Sequence, residues 1–290
     1  MSTSNDIMRV DVLDSWIAHR EQGNGPVVVF LHGNPTSSHL WREVVPQVSG
    51  RARCLAPDLI GMGASGKPAI GYRFDDHARY LKAWLDRVVP DGDLVLVGHD
   101  WGGALAQDWA ARHGAGRVRG IALIETFLRP MSWSEMVPQA ADMFRAFRTP
   151  GVGERMVLDE NLFIEGNLRR LVPGIAERDL DEYRAAYPSP DSRRPMLQWA
   201  REFPLDGEPA DVVARMMAYG EWMGQSVDVS KLLMTVTPAQ GLGSAEVIAW
   251  ARRTISSLQV EELGEAGHHA PEQIPEAIGR SVARWLDKLG

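Results

Sequence analysis

A single cysteine, Cys54, stands among 290 residues, so no intrachain disulfide and no redox pair can form. No block of Lys or Arg occurs and the formal net charge is −7, which argues against nucleic acid or an anionic membrane surface as partner. No apolar run approaches the roughly 20 residues of a membrane-spanning helix. The N-terminal stretch MSTSNDIMRVDVLDSWIAHR is too polar for a signal peptide. Internal repeats and low-complexity segments are missing. The histidines show no pair at metal-ligand spacing such as H-E-x-x-H, so neither a metal nor another cofactor is expected. Together these absences lead us to expect a soluble, cytoplasmic, globular protein.

What is present fits that class. The chain is 44% hydrophobic and 24% charged, an ordinary globular balance with ample material for a core. Its ten Trp and twelve Met supply bulk for that core and for the walls of a cavity. Short apolar runs at 26–31, 52–56, 94–97, 118–124, 232–236 and 258–263 alternate with helical patterns, which predicts a mostly parallel sheet flanked by helices. Helices are predicted over 76–89, where Tyr80, Leu81, Trp84, Leu85 and Val88 fall at helical spacing, and over 274–289. The stretch 131–211 breaks the alternation. It has no clear β-run and is rich in Arg, Pro, Met and aromatics, which predicts a helical cap inserted between two strands of the core. Trp133, Phe144, Phe147, Phe163, Leu168 and Leu171 are candidates to roof a dry cavity there, with Phe203 as a further lining candidate. Packing of cap onto core is the alternative role for each of them.

The most informative stretch is DLVLVGHDWGGALAQDWAA. An apolar run enters Gly98-His99-Asp100-Trp101-Gly102 and passes at once into an Ala-rich helical pattern. That is the layout of a nucleophile elbow, a tight strand-to-helix turn that pushes one side chain into a cleft. The glycines suit a turn in which strand and helix leave no room for a Cβ. An elbow usually presents Ser, and this one presents Asp. A carboxylate is nucleophilic without a base, and its attack on an electrophilic carbon makes an ester. Capping of the following helix is the competing role for Asp100.

In open α/β sheets, ligands bind beyond the carboxyl ends of the strands. Asp100, Glu125 and His268 all lie just past such ends, in the chain order nucleophile, acid, histidine seen in α/β-hydrolases. His268 is placed to take a proton from water. Glu125 is placed to hold the imidazole tautomer and to stabilise the imidazolium. Related hydrolases carry an Asp after the seventh strand, but the segment 235–244 here has no carboxylate, and the next is Glu246. Glu125 is therefore the preferred acid.

HGNPTSSHLWR, PDLIGMGASGKP, VGHDWGG, Glu125-Thr126-Phe127-Leu128-Arg129-Pro130 and GHHAPEQIPEAIGRSVARWL resemble the haloalkane dehalogenases. More narrowly, they resemble the subfamily that takes its acid from the end of the sixth strand. The similarity runs from about Trp16 to Leu286 and includes FRAFRTPGVGERMVLDENLFIEG and GEPADVV in the cap. It implies an α/β-hydrolase fold, with a core of 1–130 and 212–290 and a cap of 131–211. It implies hydrolysis of haloalkanes to a primary alcohol plus halide, through an aspartyl-alkyl ester cleaved by His-activated water. The partners implied are a small halogenated hydrocarbon, water and a halide ion. By the same resemblance Asn34 and Trp101 bind the departing halide, and their backbone N–H groups form the oxyanion hole. Neutral N–H donors in a dry site suit that task. Of the His doublet, His268 fits the family pattern because it follows Gly267 and precedes Glu272 by four. His269 falls where the family carries an aromatic or apolar residue.

Three other readings share parts of this motif set. An epoxide hydrolase uses the same trio plus a cap tyrosine that protonates the opening alkoxide, and Tyr183, Tyr187 and Tyr219 are available. A coelenterazine-type luciferase is built on the same frame. A non-catalytic binding protein of this fold needs the pocket but has no use for an intact Asp-Glu-His set.

Overall fold

The computed structural model describes residues 7–289. Residues 1–6 and Gly290, the outer ends of the expected core segments, lie outside the described residues. Eight strands, β1 (Met8–Val12), β2 (Ser15–Gln22), β3 (Val27–Leu31), β4 (Arg53–Pro57), β5 (Leu94–Asp100), β6 (Val118–Thr126), β7 (Ser230–Thr237) and β8 (Leu258–Glu265), build one sheet. Their spatial order is β1-β2-β4-β3-β5-β6-β7-β8. β2 pairs antiparallel with both β1 and β4, and every other neighbouring pair is parallel. The parallel strands match the apolar runs of the sequence. β1 and β2 have no counterpart in that reading, for a physical reason. They form a hairpin at the sheet edge in which β1 alternates and is largely exposed and β2 is polar over its second half, so no long apolar run marks them.

The chain steps outward from β3 to β4 and then returns past β3 to reach β5. Strand order therefore reverses between β3 and β5, and the loops leaving their carboxyl ends part around a crevice. His32-Gly33-Asn34 leaves β3 there, and Asp100-Trp101 leaves β5.

β5 is buried along its whole length, and its side chains alternate between two cores as the pleat requires. Leu94 and Leu96 join a cluster with Trp84, Leu105 and Trp109 on one face. Val95 and Val97 join Phe30, Ile278, Val282 and Trp285 on the other. Helices α1 (Phe74–Val88) and α2 (Trp101–His113) cover the first face. α1 forms because Tyr80, Leu81, Trp84 and Leu85 make one apolar stripe, and the Asp76 carboxylate accepts from the Arg73 N–H at its start (3.1 Å).

Between β6 and β7 come α3 (Pro138–Arg148), α4 (Glu177–Ala185), α5 (Arg194–Arg201) and α6 (Ala210–Gln225), with short turns and π-helical segments among them. No strand occurs in this stretch among the described residues. Its two ends are tied together: the Met131 N–H donates to the Pro204 carbonyl (3.1 Å) and the Asp206 N–H to the Met131 carbonyl (2.9 Å). α6 then returns to the core, where Arg215 lies 2.9 Å from Asp108 of α2. The expected boundary between 211 and 212 falls inside the first turn of α6. Helices α7 (Ala245–Thr254) and α8 (Pro275–Leu286) complete the chain, and α8 lays Ile278, Val282 and Trp285 on the second face.

α2 begins at the residue after β5 ends, so strand and helix crowd each other and β3. A Cβ on Gly102 would sit 2.2 Å from the Leu31 carbonyl oxygen and 2.4 Å from that of His32. Gly102→Ala should therefore cost about 1–3 kcal/mol or more, read as a lower denaturant midpoint at unchanged slope. Gly220→Ala is the control, since a Cβ there meets nothing within 4 Å inside α6 and should gain roughly 0.5–1 kcal/mol. Equal midpoints for the two variants would remove the close approach as a constraint.

Candidate active site

Asp100 ends β5 with φ 51° and ψ −128°, a left-handed region that costs a non-glycine residue of order 1–3 kcal/mol. Its carbonyl is held by the Thr126 hydroxyl (2.5 Å). It occupies the N-cap position of α2, yet its side chain makes no capping bond. The carboxylate turns instead into the crevice, where the Asn34 backbone N–H donates to Oδ2 at 2.8 Å and the Trp101 N–H donates as well. The residue is only 5% exposed. Burial pushes its carboxyl above the ordinary Asp range, while His268 and the two N–H groups pull it back down.

Glu125 leaves β6 and His268 the loop after β8, and the sheet order brings both to Asp100. His268 Nε2 lies 3.8 Å from Asp100 Oδ1 and its Nδ1 3.5 Å from Glu125 Oε2. Burial works to lower the His268 pKa, but the Glu125 hydrogen bond and the charges of Asp100 and Glu125 outweigh it and raise the imidazole above its ordinary value. The loop after β7, where related hydrolases carry an acid, gives room to Glu125 instead. A Cβ on Gly243 would stand 2.2 Å from Glu125 Oε1. Glu246 is exposed on α7. His269 is buried beside His268 without facing either carboxylate, its ring 5.0 Å away. His99, inside the elbow, donates from Nε2 to the His268 carbonyl (2.6 Å), a link between elbow and histidine loop that spacing in the sequence does not reveal.

Asn34 and Trp101 flank the carboxylate. The Asn34 Nδ2 donates to the Met196 carbonyl on α5 (3.2 Å), which fixes the amide with its N–H₂ end turned toward α5. The Trp101 indole is 2% exposed. It lies between Phe127 (ring centroids 4.3 Å) and Trp199 of α5 (4.5 Å, interplanar angle 21°), and Trp199 stacks in turn on His77 (4.1 Å). Trp199, Phe127 and Met196 have no signal in the sequence as site residues, because a helical stripe does not say which ring it meets.

From Trp101 a run of ring contacts leads into the helices between β6 and β7. It passes from Phe127 to Phe203 (4.8 Å), Phe144 (4.5 Å), Phe147 (5.8 Å) and Phe163 (5.0 Å). Phe144, Phe163 and Phe203 thus form one apolar cluster with the elbow tryptophan. Leu171 meets the histidine loop, its carbonyl accepting from Gln273 Nε2 (3.2 Å). Leu168 is fully buried in the same core cluster as Phe147 and Phe163. Trp133 sits under the guanidinium groups of Arg145 and Arg148 (4.7 and 5.0 Å). An open groove of about 720 Å³ lies elsewhere, between α1, α2 and α6. Arg73, Asp108, Asp211 and Arg215 line it, and none of Asp100, Glu125 or His268 does.

Comparison with known proteins agrees with this geometry. The alpha/beta hydrolase fold family matches residues 26–206. A haloalkane dehalogenase of Mesorhizobium japonicum is 42% identical over 100% of this chain and 94% of its own length. One of Bradyrhizobium diazoefficiens is 43% identical over 97% and 94%. Among solved structures, the haloalkane dehalogenase DbeA from Bradyrhizobium elkani superposes with a TM-score of 0.93 at 43% identity, covering 98% of each chain. DatA from Agrobacterium tumefaciens gives 0.93 at 36%, covering 98% of this chain and 97% of that one. With an Asp elbow, a matching fold and full-length identity of this order, the chain belongs to the haloalkane dehalogenase family of alpha/beta-hydrolase-fold enzymes.

Proposed function

We propose that this protein hydrolyses small haloalkanes to an alcohol and a halide ion, with Asp100 as nucleophile, His268 as base and Glu125 as its acid partner. One observation carries the reading. Asp100 presents Oδ1 to His268 while Oδ2 is pinned by the Asn34 N–H, so the two oxygens have separate tasks. Oδ1 attacks the carbon and the C–halogen bond breaks, with the charge leaving on the halide. The indole N–H of Trp101 and the amide of Asn34 receive it in a dry site, where neutral donors act strongly. The ester then has Oδ2 as its carbonyl oxygen, already facing the Asn34 and Trp101 N–H groups. Water gives a proton to His268 and attacks Cγ, negative charge builds on Oδ2, and the Cγ–Oδ1 bond breaks as His268 returns the proton to the alcohol. The alcohol carries away Oδ1, the oxygen of water takes its place on Cγ, and the second proton of water leaves to solvent to restore the carboxylate.

The helices of 131–211 act as the cap over this site in the same reading, with Phe144, Phe163 and Phe203 as its apolar wall. No helix among the described residues is long and apolar enough to cross a membrane. The epoxide-opening alternative needs a cap tyrosine with a free hydroxyl. Tyr183, Tyr187 and Tyr219 are buried, and their hydroxyls are committed to Glu272, to the Pro35 carbonyl (3.4 Å) and to the Phe127 carbonyl (2.8 Å).

The decisive experiment separates the two halves. Alkylation needs no base, so His268→Phe should release about one halide per chain and then stop, with the alkyl group found by mass spectrometry on the peptide containing Asp100. In one turnover of the wild type in ¹⁸O-water, the label should enter Asp100 and leave the first alcohol unlabelled. Labelled first-turnover alcohol would mean direct attack of water on the substrate and would discard the ester.

Asn34→Ala should slow carbon–halogen cleavage by an amount on the order of 2–4 kcal/mol, as for loss of one oxyanion donor, measured as burst rate against chain concentration. An unchanged burst would take Asn34 out of the halide cradle.

The pH dependence has a defined sign. In the resting protein the Glu125 and Asp100 charges raise His268 against burial, and alkylation removes the Asp100 charge. The imidazole pKa should therefore fall in the ester, leaving more neutral base. Ester hydrolysis in rapid-quench experiments should rise with pH to a plateau, with its midpoint below the His268 pKa measured in the free protein. A midpoint at or above that value would contradict the coupling.

A further inference from the structure

We propose that His99, His268 and His269 form a site for a divalent transition-metal ion of the zinc type, and that its occupancy stops the hydrolytic half of the reaction. One ring nitrogen from each of the three lies within 4.8 Å of the other two. His99 and His269 are 0% and 2% exposed, and the Nδ1 of each is buried with no hydrogen-bond partner. An unpaired polar atom in the interior costs about 1–3 kcal/mol, and two of the three clustered rings each carry one.

The tautomer of His99 is fixed by what it touches. A carbonyl can only accept, so the 2.6 Å contact to the His268 carbonyl makes His99 Nε2 the donor and leaves the lone pair on Nδ1. Metal-ligating histidines characteristically give their second nitrogen to a backbone carbonyl or a carboxylate. His99 has the carbonyl, and His268 has the Glu125 carboxylate at 3.5 Å. Imidazole nitrogens suit Zn²⁺, Cu²⁺ and Ni²⁺. At a Zn–N distance of about 2.0–2.1 Å a tetrahedral site sets neighbouring ligands about 3.3 Å apart, so the nitrogens would close in by up to about 1.5 Å on binding. Three histidines leave the fourth position to water.

Charge and access agree. A dication is costly to bury alone, and Asp100 and Glu125 stand on either side of His268 to balance it. The His268 side chain is 29% exposed and gives the ion its way in. Neither spacing nor pattern announces this site, because His99 lies 169 positions from its partner loop. His269 stands where the family resemblance leads one to expect an aromatic or apolar side chain. The site is thus a property of this chain.

The inhibitory part rests on the reading of His268 as base, since coordination takes the lone pair that would accept the proton of water. Alkylation of Asp100 uses no base and should survive. The full chain, stripped with chelator, is titrated with Zn²⁺ by calorimetry and with Co²⁺ by visible absorption. Binding of one ion per chain is expected in the wild type, with affinity lowered about tenfold or more in His269→Phe and in His99→Gln. Circular dichroism checks that each variant folds, and His269→Asn replaces either that does not. With Zn²⁺ bound, the wild type should release about one halide per chain and stop, and chelator should restore turnover. Equal affinity in the wild type and the folded variants would overturn the site. Full turnover at saturating Zn²⁺ would overturn the inhibition. Metal binding lost in the variants, with no halide released from any bromo- or chloroalkane by the stripped wild type, would keep the metal site and remove the dehalogenase reading.

Discussion

A carboxylate sealed from water stays an anion only when fixed dipoles and a nearby cation replace the hydration it has lost, and the Asp100 side chain places that demand on every element around it. β3 supplies the Asn34 N–H, and the start of α2 supplies the Trp101 N–H together with the positive end of the helix dipole. β6 contributes Thr126, which holds the strained elbow, and Glu125, which orients His268. The loop after β8 contributes His268 itself. No two consecutive elements could provide this set. Only a sheet in which β3, β5 and β6 are neighbours, with β7 and β8 beyond them, collects these groups at one end.

Buried parallel strands were legible because each must be apolar on both faces. The runs 94–97 and 118–124 need nothing else to be recognised, and α1 declares itself by its Trp84 stripe. The elbow was legible for a different reason: strand, Gly-x-Asp-x-Gly and helix must follow without a gap. The edge hairpin of β1 and β2 was not, since half-exposed strands mix polar and apolar residues as loops do. In the site, Asp100, Glu125 and His268 could be named from their order at strand ends, although Asp100 is the last residue of β5 and Glu125 the last but one of β6, and only His268 lies past its strand. Trp199, Met196 and His99 owe their places to long-range contacts, and composition gives no handle on those. Leu168 and Leu171 show the limit most clearly: they are three apart on one segment, yet Leu168 is fully buried while the Leu171 carbonyl meets Gln273 beyond the histidine loop.

The helices between β6 and β7 are joined to the core by charge as much as by apolar contact. Arg42 grips Glu272 through two hydrogen bonds of 2.7 and 2.8 Å, Tyr183 of α4 shares that carboxylate, and His39 meets Asp179 of α4 at 3.0 Å. On the opposite side Arg73 reaches Glu202 and Asp211. Glu272 is 2% exposed at its side chain, so loss of its arginine would strand a buried charge, a change typically worth about 3–5 kcal/mol. Glu272 also lies one turn beyond His268. The joint that holds α4 therefore braces the loop that carries His268.

The leaving-group cradle of the proposed function does not belong to the core alone. The amide of Asn34 is oriented by the Met196 carbonyl and the ring of Trp101 lies flat on Trp199, and both partners ride on α5. If that function holds, the helices between β6 and β7 and the sheet are therefore not interchangeable modules, one choosing the substrate and the other breaking the bond. A recombination that exchanged the segment between the ties at Met131 and Asp206 would carry away the partners that orient the Asn34 amide and the Trp101 ring. Under the proposed function, a change in these helices that alters the hydrocarbon accepted would also move the groups that face the halide.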